Sequence, residues 1–179
     1  MGPGQDLKVK SLPDPSVVGL AYPLAPVEYA LRNERRHPPP TDQEMYREMF
    51  RIFHIALPQQ LFQRSYILSI IYHHINRNRR DSPGWQRGLI KSGGVKILLG
   101  IWNEPGVDVV DGQNDRYWVI AILGRMLGTS SESRIQLIRN GVVDVILQAT
   151  KDSDQEVRGC AISALKGLTQ HPEGRDVVT

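Results

Sequence analysis

Cysteine is almost missing from this chain: Cys160 is the one thiol among 179 residues, so no internal disulfide can form. There is no Asn-x-Ser/Thr sequon, and Met1-Gly2-Pro3-Gly4-Gln5-Asp6 lacks the basic and then apolar layout of a secretion signal. Together these absences lead us to expect a reducing intracellular compartment. Long apolar runs are missing too. None approaches the ~20 residues of a membrane-spanning helix, so neither a span nor a membrane partner is expected. Charge of one sign is in short supply, with 22 Lys plus Arg against 19 Asp plus Glu and a formal net charge of +3. That is well below the dense basic stripe of a dedicated nucleic-acid binder. Neither a Gly-x-Ser-x-Gly elbow nor a His-Glu-x-x-His helix is present, and the expectation is a chain with no cofactor and no catalytic activity.

What charge there is lies unevenly. Residues 1–80 carry 11 basic and 7 acidic side chains, and residues 81–179 carry 11 and 12. A partner that prefers positive charge would meet the N-terminal half. Composition divides the chain near Thr41. Eight of the twelve prolines fall in residues 1–40, among them Pro13, Pro15, Pro23, Pro26 and the run Pro38-Pro39-Pro40. Proline removes backbone donors and biases the preceding residue toward extended geometry, so 1–40 is read as an extended Pro-rich arm. Val17, Val18, Leu20, Tyr22, Leu24, Val27, Tyr29 and Leu31 recur between those prolines and want a surface to lie on.

From Thr41 to Thr179 the periodicity is helical. Thr41-Asp42-Gln43-Glu44 reads as a capping box. Met45, Met49, Ile52, Phe53 and Ala56 then follow at spacings of three and four, until Pro58 interrupts. Apolar residues fall around most of the next stretch, Gln59 to Arg77, which predicts a largely buried helix. Asp81-Ser82-Pro83-Gly84 is a turn signal.

Beyond that turn the sequence repeats itself. Leu89 to Leu99 lies over Leu137 to Leu147 at a shift of 48, with every apolar position matched in kind except Gly94 against Val142. At a shift of 41, Leu127, Glu132 and Arg134 lie over Leu168, Glu173 and Arg175. The difference between the shifts places a seven-residue insertion in the loop Glu104 to Asn114. A period in the forties points to stacked helical units, each burying its apolar face against a neighbour. Gly93 and Asn140-Gly141 fall where a helix must stop and turn, which calls for a left-handed residue.

The order of a small-residue helix, a short helix ending in Ile138-Arg139-Asn140-Gly141, then Val142-Val143-Asp144-Val145-Ile146-Leu147, then Asp152-Ser153-Asp154-Gln155-Glu156-Val157-Arg158 resembles the armadillo repeat. The resemblance covers residues 60–179 and is densest over Ser131 to Leu168. It implies an all-α fold: a short right-handed armadillo-like helical repeat array of about two to three repeats over 41–179, preceded by the arm. It also implies that Asp154 to Leu168 is a groove-lining helix. In importin-like members that helix presents a Trp and, four residues on, an Asn. The matching positions here are Ile122 and Met126, then Ser163 and Gly167, which argues against an importin-like groove. A member of the family would continue past Val177-Val178-Thr179 into another turn and helix, so the last unit reads as truncated.

Several patterns suggest chemistry and have blander readings. Gly88-Leu89-Ile90-Lys91-Ser92-Gly93-Gly94 imitates a phosphate loop but lacks its Lys and a preceding strand, so a helix turn is favoured. Asp108, Asp111 and Asp115 are grouped without the alternating oxygens of a calcium loop, and Asp115 suits a helix start. His73 and His74 are about 100° apart on a helix and cannot chelate one ion together. Cys160, among Gly159, Ala161 and Ala164, suits close helix packing. Trp85, Trp102 and Trp118 read as core or interlayer residues, with Trp118 beside Tyr117 as a candidate anchor.

These readings converge on a non-catalytic protein-binding or structural component, a scaffold, of a large multi-subunit assembly in the cytoplasm. A cytoskeletal or ciliary axoneme setting fits, where tubulin supplies an acidic surface. The candidate partner-binding residues are Tyr22, Tyr29, Arg32, Arg35 and Arg36 of the arm, Arg77, Arg79 and Arg80 after the helix, and Tyr117, Arg125 and Lys166 of the repeats. The alternative is a nucleic-acid-associated protein placing the same arginines on phosphates, with a steep salt dependence.

Overall fold

The computed structural model describes Arg47, His54 and residues 64–77, 82–104 and 115–178. The Pro-rich arm, the capping box at Thr41 and the helix expected over 45–57 lie outside the described residues. Those described are helical with no strand among them: α1 (Arg64–Arg77), α2 (Ser82–Lys91), α3 (Gly94–Asn103), α4 (Asp115–Leu127), α5 (Ser131–Arg139), α6 (Val142–Ala149), α7 (Gln155–Thr169) and α8 (Pro172–Val178). None of these helices is long and apolar enough to cross a membrane.

Local chemistry sets the boundaries. The Ser130 hydroxyl caps α5 by accepting the Ser133 N–H at 3.2 Å, and the Asp154 carboxylate caps α7 by accepting the Glu156 N–H at 2.7 Å. Such caps satisfy donors that have no partner inside the helix. Between α2 and α3 the chain turns at Gly93 with φ 77°, and between α5 and α6 at Gly141 with φ 78°. These are the left-handed turns expected from the sequence, 48 residues apart and nearly identical in geometry. At both, a side chain would meet its own backbone. Gly141→Ala should therefore lower stability by about 1 kcal/mol, measured by urea denaturation. An unchanged midpoint would mean that the turn can relax to negative φ.

The helices stack in rows. α1 packs on α4 and α4 on α7; α3 packs on α6; α2 packs on α5 and α5 on α8. Helices three apart in sequence therefore face each other, as expected of units that cannot bury their own apolar faces. The shared core draws Ile67, Leu68, Ile71 and Ile75 from α1, Leu98 and Trp102 from α3, Leu123 and Leu127 from α4, Ile146 from α6, and Val157, Ala161 and Leu168 from α7. On α7 the buried residues Val157, Ala161, Ala164 and Leu168 recur at spacings of three and four, one stripe of a helix.

Two close approaches fix the rows. Where α4 crosses α7, a Cβ on Gly124 would lie 2.7 Å from the Ala164 Cβ, so the helices meet through the smallest side chains available. Where α8 lies on the last turn of α7, Gly174 leaves no room for a Cβ against the Leu168 carbonyl and side chain. The inserted segment falls between α3 and α4 as the two shifts require. α3 runs 10 residues where its counterpart α6 runs 8, and residues 105–114 are outside the described set.

Candidate partner-binding face

The row α1, α4 and α7 carries the candidate residues that the structure describes. Trp118, Ile122 and Arg125 share one face of α4 at spacings of four and three, and a shift of 41 places Gly159, Ser163 and Lys166 on the matching face of α7. Their surroundings differ. Ile122 and Met126 are 0% exposed, because α4 is flanked by α1 and α7 and backed by α3, α5 and α6. On α7, Gly159, Ser163 and Lys166 are exposed.

At the α1–α4 boundary the aromatic rings gather. The Trp118 ring centroid lies 5.6 Å from that of Tyr72, 5.9 Å from His73 and 5.0 Å from Tyr117, the last edge to face at 75°. Such offset and edge contacts suit the ring quadrupoles. Tyr72, Tyr117 and Trp118 remain half-buried and His73 is exposed, so the cluster offers aromatic surface while its inner edges pack on the core. Tyr117 reaches toward α7. Burial first, then the neighbouring Cys160, Tyr72 and Glu156, push its hydroxyl above the ordinary tyrosine value. Burial likewise pushes the Cys160 thiol up, which keeps it protonated at neutral pH and unsuited to nucleophilic work.

Of the other candidates, Arg77 is the last residue of α1, whereas Tyr22, Tyr29, Arg32, Arg35, Arg36, Arg79 and Arg80 lie outside the described residues. Arg125 and Lys166 are brought onto adjacent helices, just beyond the Gly124–Ala164 crossing. The Arg125 Nε is buried and, among the described residues, finds no acceptor, as is true of the Arg116 Nε. The residues that suggested a phosphate loop form the α2–α3 turn instead, where Gly93 N–H donates to the Ile90 carbonyl at 3.1 Å and His54 Nε2 donates to the Ser92 carbonyl.

Three polar bridges between units had no counterpart in the sequence reading. Arg64 donates from Nε to Asp115 at 2.6 Å and from Nη1 to Glu104 at 2.8 Å, and the Ser65 hydroxyl donates to the other Asp115 oxygen. Burial opposes the Arg64 charge, and the hydrogen bonds to Asp115 and Glu104 more than offset it, so its pKa stands above the ordinary value. Asp115, once considered with Asp108 and Asp111 for a cation, is committed to this bridge. Among the described residues no group of three or more His, Cys, Asp or Glu could hold a metal. In the second bridge Arg116 pairs with Asp152 at 2.6 Å while its guanidinium sits 4.4 Å above the Trp102 ring. In the third, buried Arg134 donates to the Leu127 carbonyl at 2.9 Å and to Glu173 at 3.2 Å, and Glu173 also accepts from the Ser131 hydroxyl.

The Ser131 hydroxyl, then the backbone N–H of Glu173 itself, with Arg134 adding to them, hold that carboxyl below the usual glutamate range. A group with a lowered folded pKa stabilises at pH above its unfolded value and loses that stabilisation as pH falls through the folded one. Amide NMR signals of residues 172–178 should therefore broaden or shift as neutral pH is lowered through the glutamate range, and Glu173→Gln should remove that dependence. A Glu173→Gln protein that titrates like the wild type would mean that another group governs α8.

The chain was compared with protein-family models, with curated proteins and with solved structures, and none of the three comparisons gives a match.

Proposed function

We propose that this chain is a non-catalytic binding component of a large intracellular assembly, built as a short armadillo-like array, whose partner presents an acidic protein surface. The repeat type is supported by the rows of stacked helices and by the matched left-handed turns at Gly93 and Gly141. The binding role is supported above all by one observation: a half-buried aromatic cluster at Trp118 shares its helix row with two cations, Arg125 and Lys166, on adjacent helices. Aromatic surface on the same helix row as cations is the composition of a protein-recognition patch. Tubulin in a cytoskeletal or axonemal setting is the partner this reading names, since its surface is acidic and the N-terminal half of the chain is the basic one.

Co-sedimentation of the full chain with microtubules tests it. Binding at low salt that weakens as salt is raised is the expected result, because surface charge pairs are screened. A chain that stays in the supernatant at low salt would rule out tubulin as the direct partner.

A further inference from the structure

We infer that the run Pro38-Pro39-Pro40 of this chain docks in cis on the ring cluster of Tyr72, Trp118 and Tyr117, with Arg35 and Arg36 turned toward Glu156 of α7. The inference does not depend on the acidic-partner reading, and it names what occupies the rings in the free chain. The observation behind it is aromatic area left partly open. Tyr72, Tyr117 and Trp118 are half-buried and His73 is exposed, so apolar surface that would gain from cover remains in water. The rings follow one another from α1 onto α4, Tyr72 to Trp118 at 5.6 Å and Trp118 to Tyr117 at 5.0 Å between centroids. Surface lined by aromatic rings is what receives proline-rich chain. Consecutive prolines hold the polyproline II form before they bind, so little ordering entropy is lost when they settle on the rings.

Length, charge and reach single out this segment. Polyproline II rises about 3.1 Å per residue, so three prolines extend over about 9 Å, close to the run of the three ring centroids. Its turn of three residues puts Arg35 on the edge of Pro38 and Arg36 on the edge of Pro39. The cluster carries its acid at one end. Burial, then Cys160 and Tyr72, raise the Tyr117 hydroxyl, and the charge of Glu156, exposed on α7, adds to them, which sets that carboxylate at the Tyr117 end. A run laid from Glu156 toward Tyr72 leaves Pro40 at α1, the helix to which residues 41–63 join it. Fully extended, those residues would span roughly 75 Å, and Tyr72 lies only about 12 Å along α1 from Arg64. The other closely spaced prolines, Pro23-Leu24-Ala25-Pro26, have Glu28 nearby and no arginine within five residues, so they lack the charge to meet Glu156.

The test is heteronuclear NMR on the full chain, read at the indole of Trp118. In the wild type, nuclear Overhauser contacts are expected between the Trp118 ring and the δ-protons of Pro38, Pro39 and Pro40. The triple variant Pro38→Ser/Pro39→Ser/Pro40→Ser should lose those contacts and shift the Trp118 indole N–H signal, while the signals of Trp85 and Trp102 stay in place. Glu156→Arg, at an exposed position, should move the Trp118 signal in the same direction, and joining it with Arg35→Glu and Arg36→Glu should bring the signal back. Absence of contacts between the Trp118 ring and these prolines in the wild type overturns the inference. So does a Trp118 signal that ignores the triple variant, or one that responds instead to Pro23→Ser/Pro26→Ser. If all three indole signals move together in the triple variant, the prolines act on the fold as a whole and the assignment fails. Contacts that fade on dilution would put the run on a second copy and overturn docking in cis.

Discussion

Arg64→Met lowers the stability of the fold by about 3–5 kcal/mol, the usual cost of removing one partner from a buried ion pair. Arg64 and Asp115 are each 4% exposed. Once the guanidinium is gone, the Asp115 carboxylate keeps, among the described residues, the Ser65 hydroxyl. Asp115→Leu should cost less, because Arg64 retains Glu104, which is itself 44% exposed on its side chain and has water to share. The double variant Arg64→Met/Asp115→Leu should recover most of the loss, since apolar side chains of similar volume replace a buried pair at little net cost. Urea denaturation of the four proteins gives the cycle. A loss below about 1 kcal/mol in Arg64→Met, the scale of a surface pair, would show that Asp115 finds water when α1 lets go of it.

Gly124→Val destabilises by about 3 kcal/mol, at the upper end of what overpacking costs. The first carbon added would lie 2.7 Å from the Ala164 Cβ, and neither atom is the end of a flexible chain, so α4 and α7 must move apart. Their separation opens gaps along the stripe Val157, Ala161, Ala164 and Leu168. Adding Ala164→Gly to Gly124→Val removes the atom that is struck and should restore about half of the stability, less the cost of a glycine inside α7, about 1 kcal/mol. Thermal unfolding of the single and double variants decides it. If Ala164→Gly makes the Gly124→Val protein worse, the helices do not meet where the crossing places them.

Much of the architecture was legible before any coordinates. The shift of 48 between Leu89–Leu99 and Leu137–Leu147 anticipated that α2–α3 and α5–α6 are copies, and their matched φ angles follow from one steric rule acting on two glycines. Asp115 was placed near a helix start, and the chain starts α4 there. The polar bridges were not legible. Arg64 and Asp115, Gln86 and Thr129, or Ser131 and Glu173 are joined only when rows stack, and no local spacing marks them. Arg134 is instructive: the shift of 41 pairs it with Arg175 as a copy, yet its contact is to Glu173, the copy of Glu132 in the next unit. Repeat matching reveals equivalent positions, and partners lie between units. The candidate face was half legible. Tyr117, Trp118, Arg125 and Lys166 stood out as residues, while the full burial of Ile122 and Met126, and the covered Nε of Arg125, depend on how closely α1 and α7 flank α4.

The side-chain hydrogen bonds that tie one unit to the next share a narrow range of chain separation. Arg134 to Glu173 spans 39 residues, Arg64 to Glu104 40, Ser131 to Glu173 42, Thr129 to Gln86 43, Trp102 to Gln148 46 and Arg64 to Asp115 51. The entropy lost in closing a loop grows only with the logarithm of its length, so each of these bridges closes against nearly the same penalty, and none waits on a more distant one. Assembly can begin at any neighbouring pair of units and spread from there. Adding a further unit would lengthen the chain without raising the entropic barrier to any single bridge.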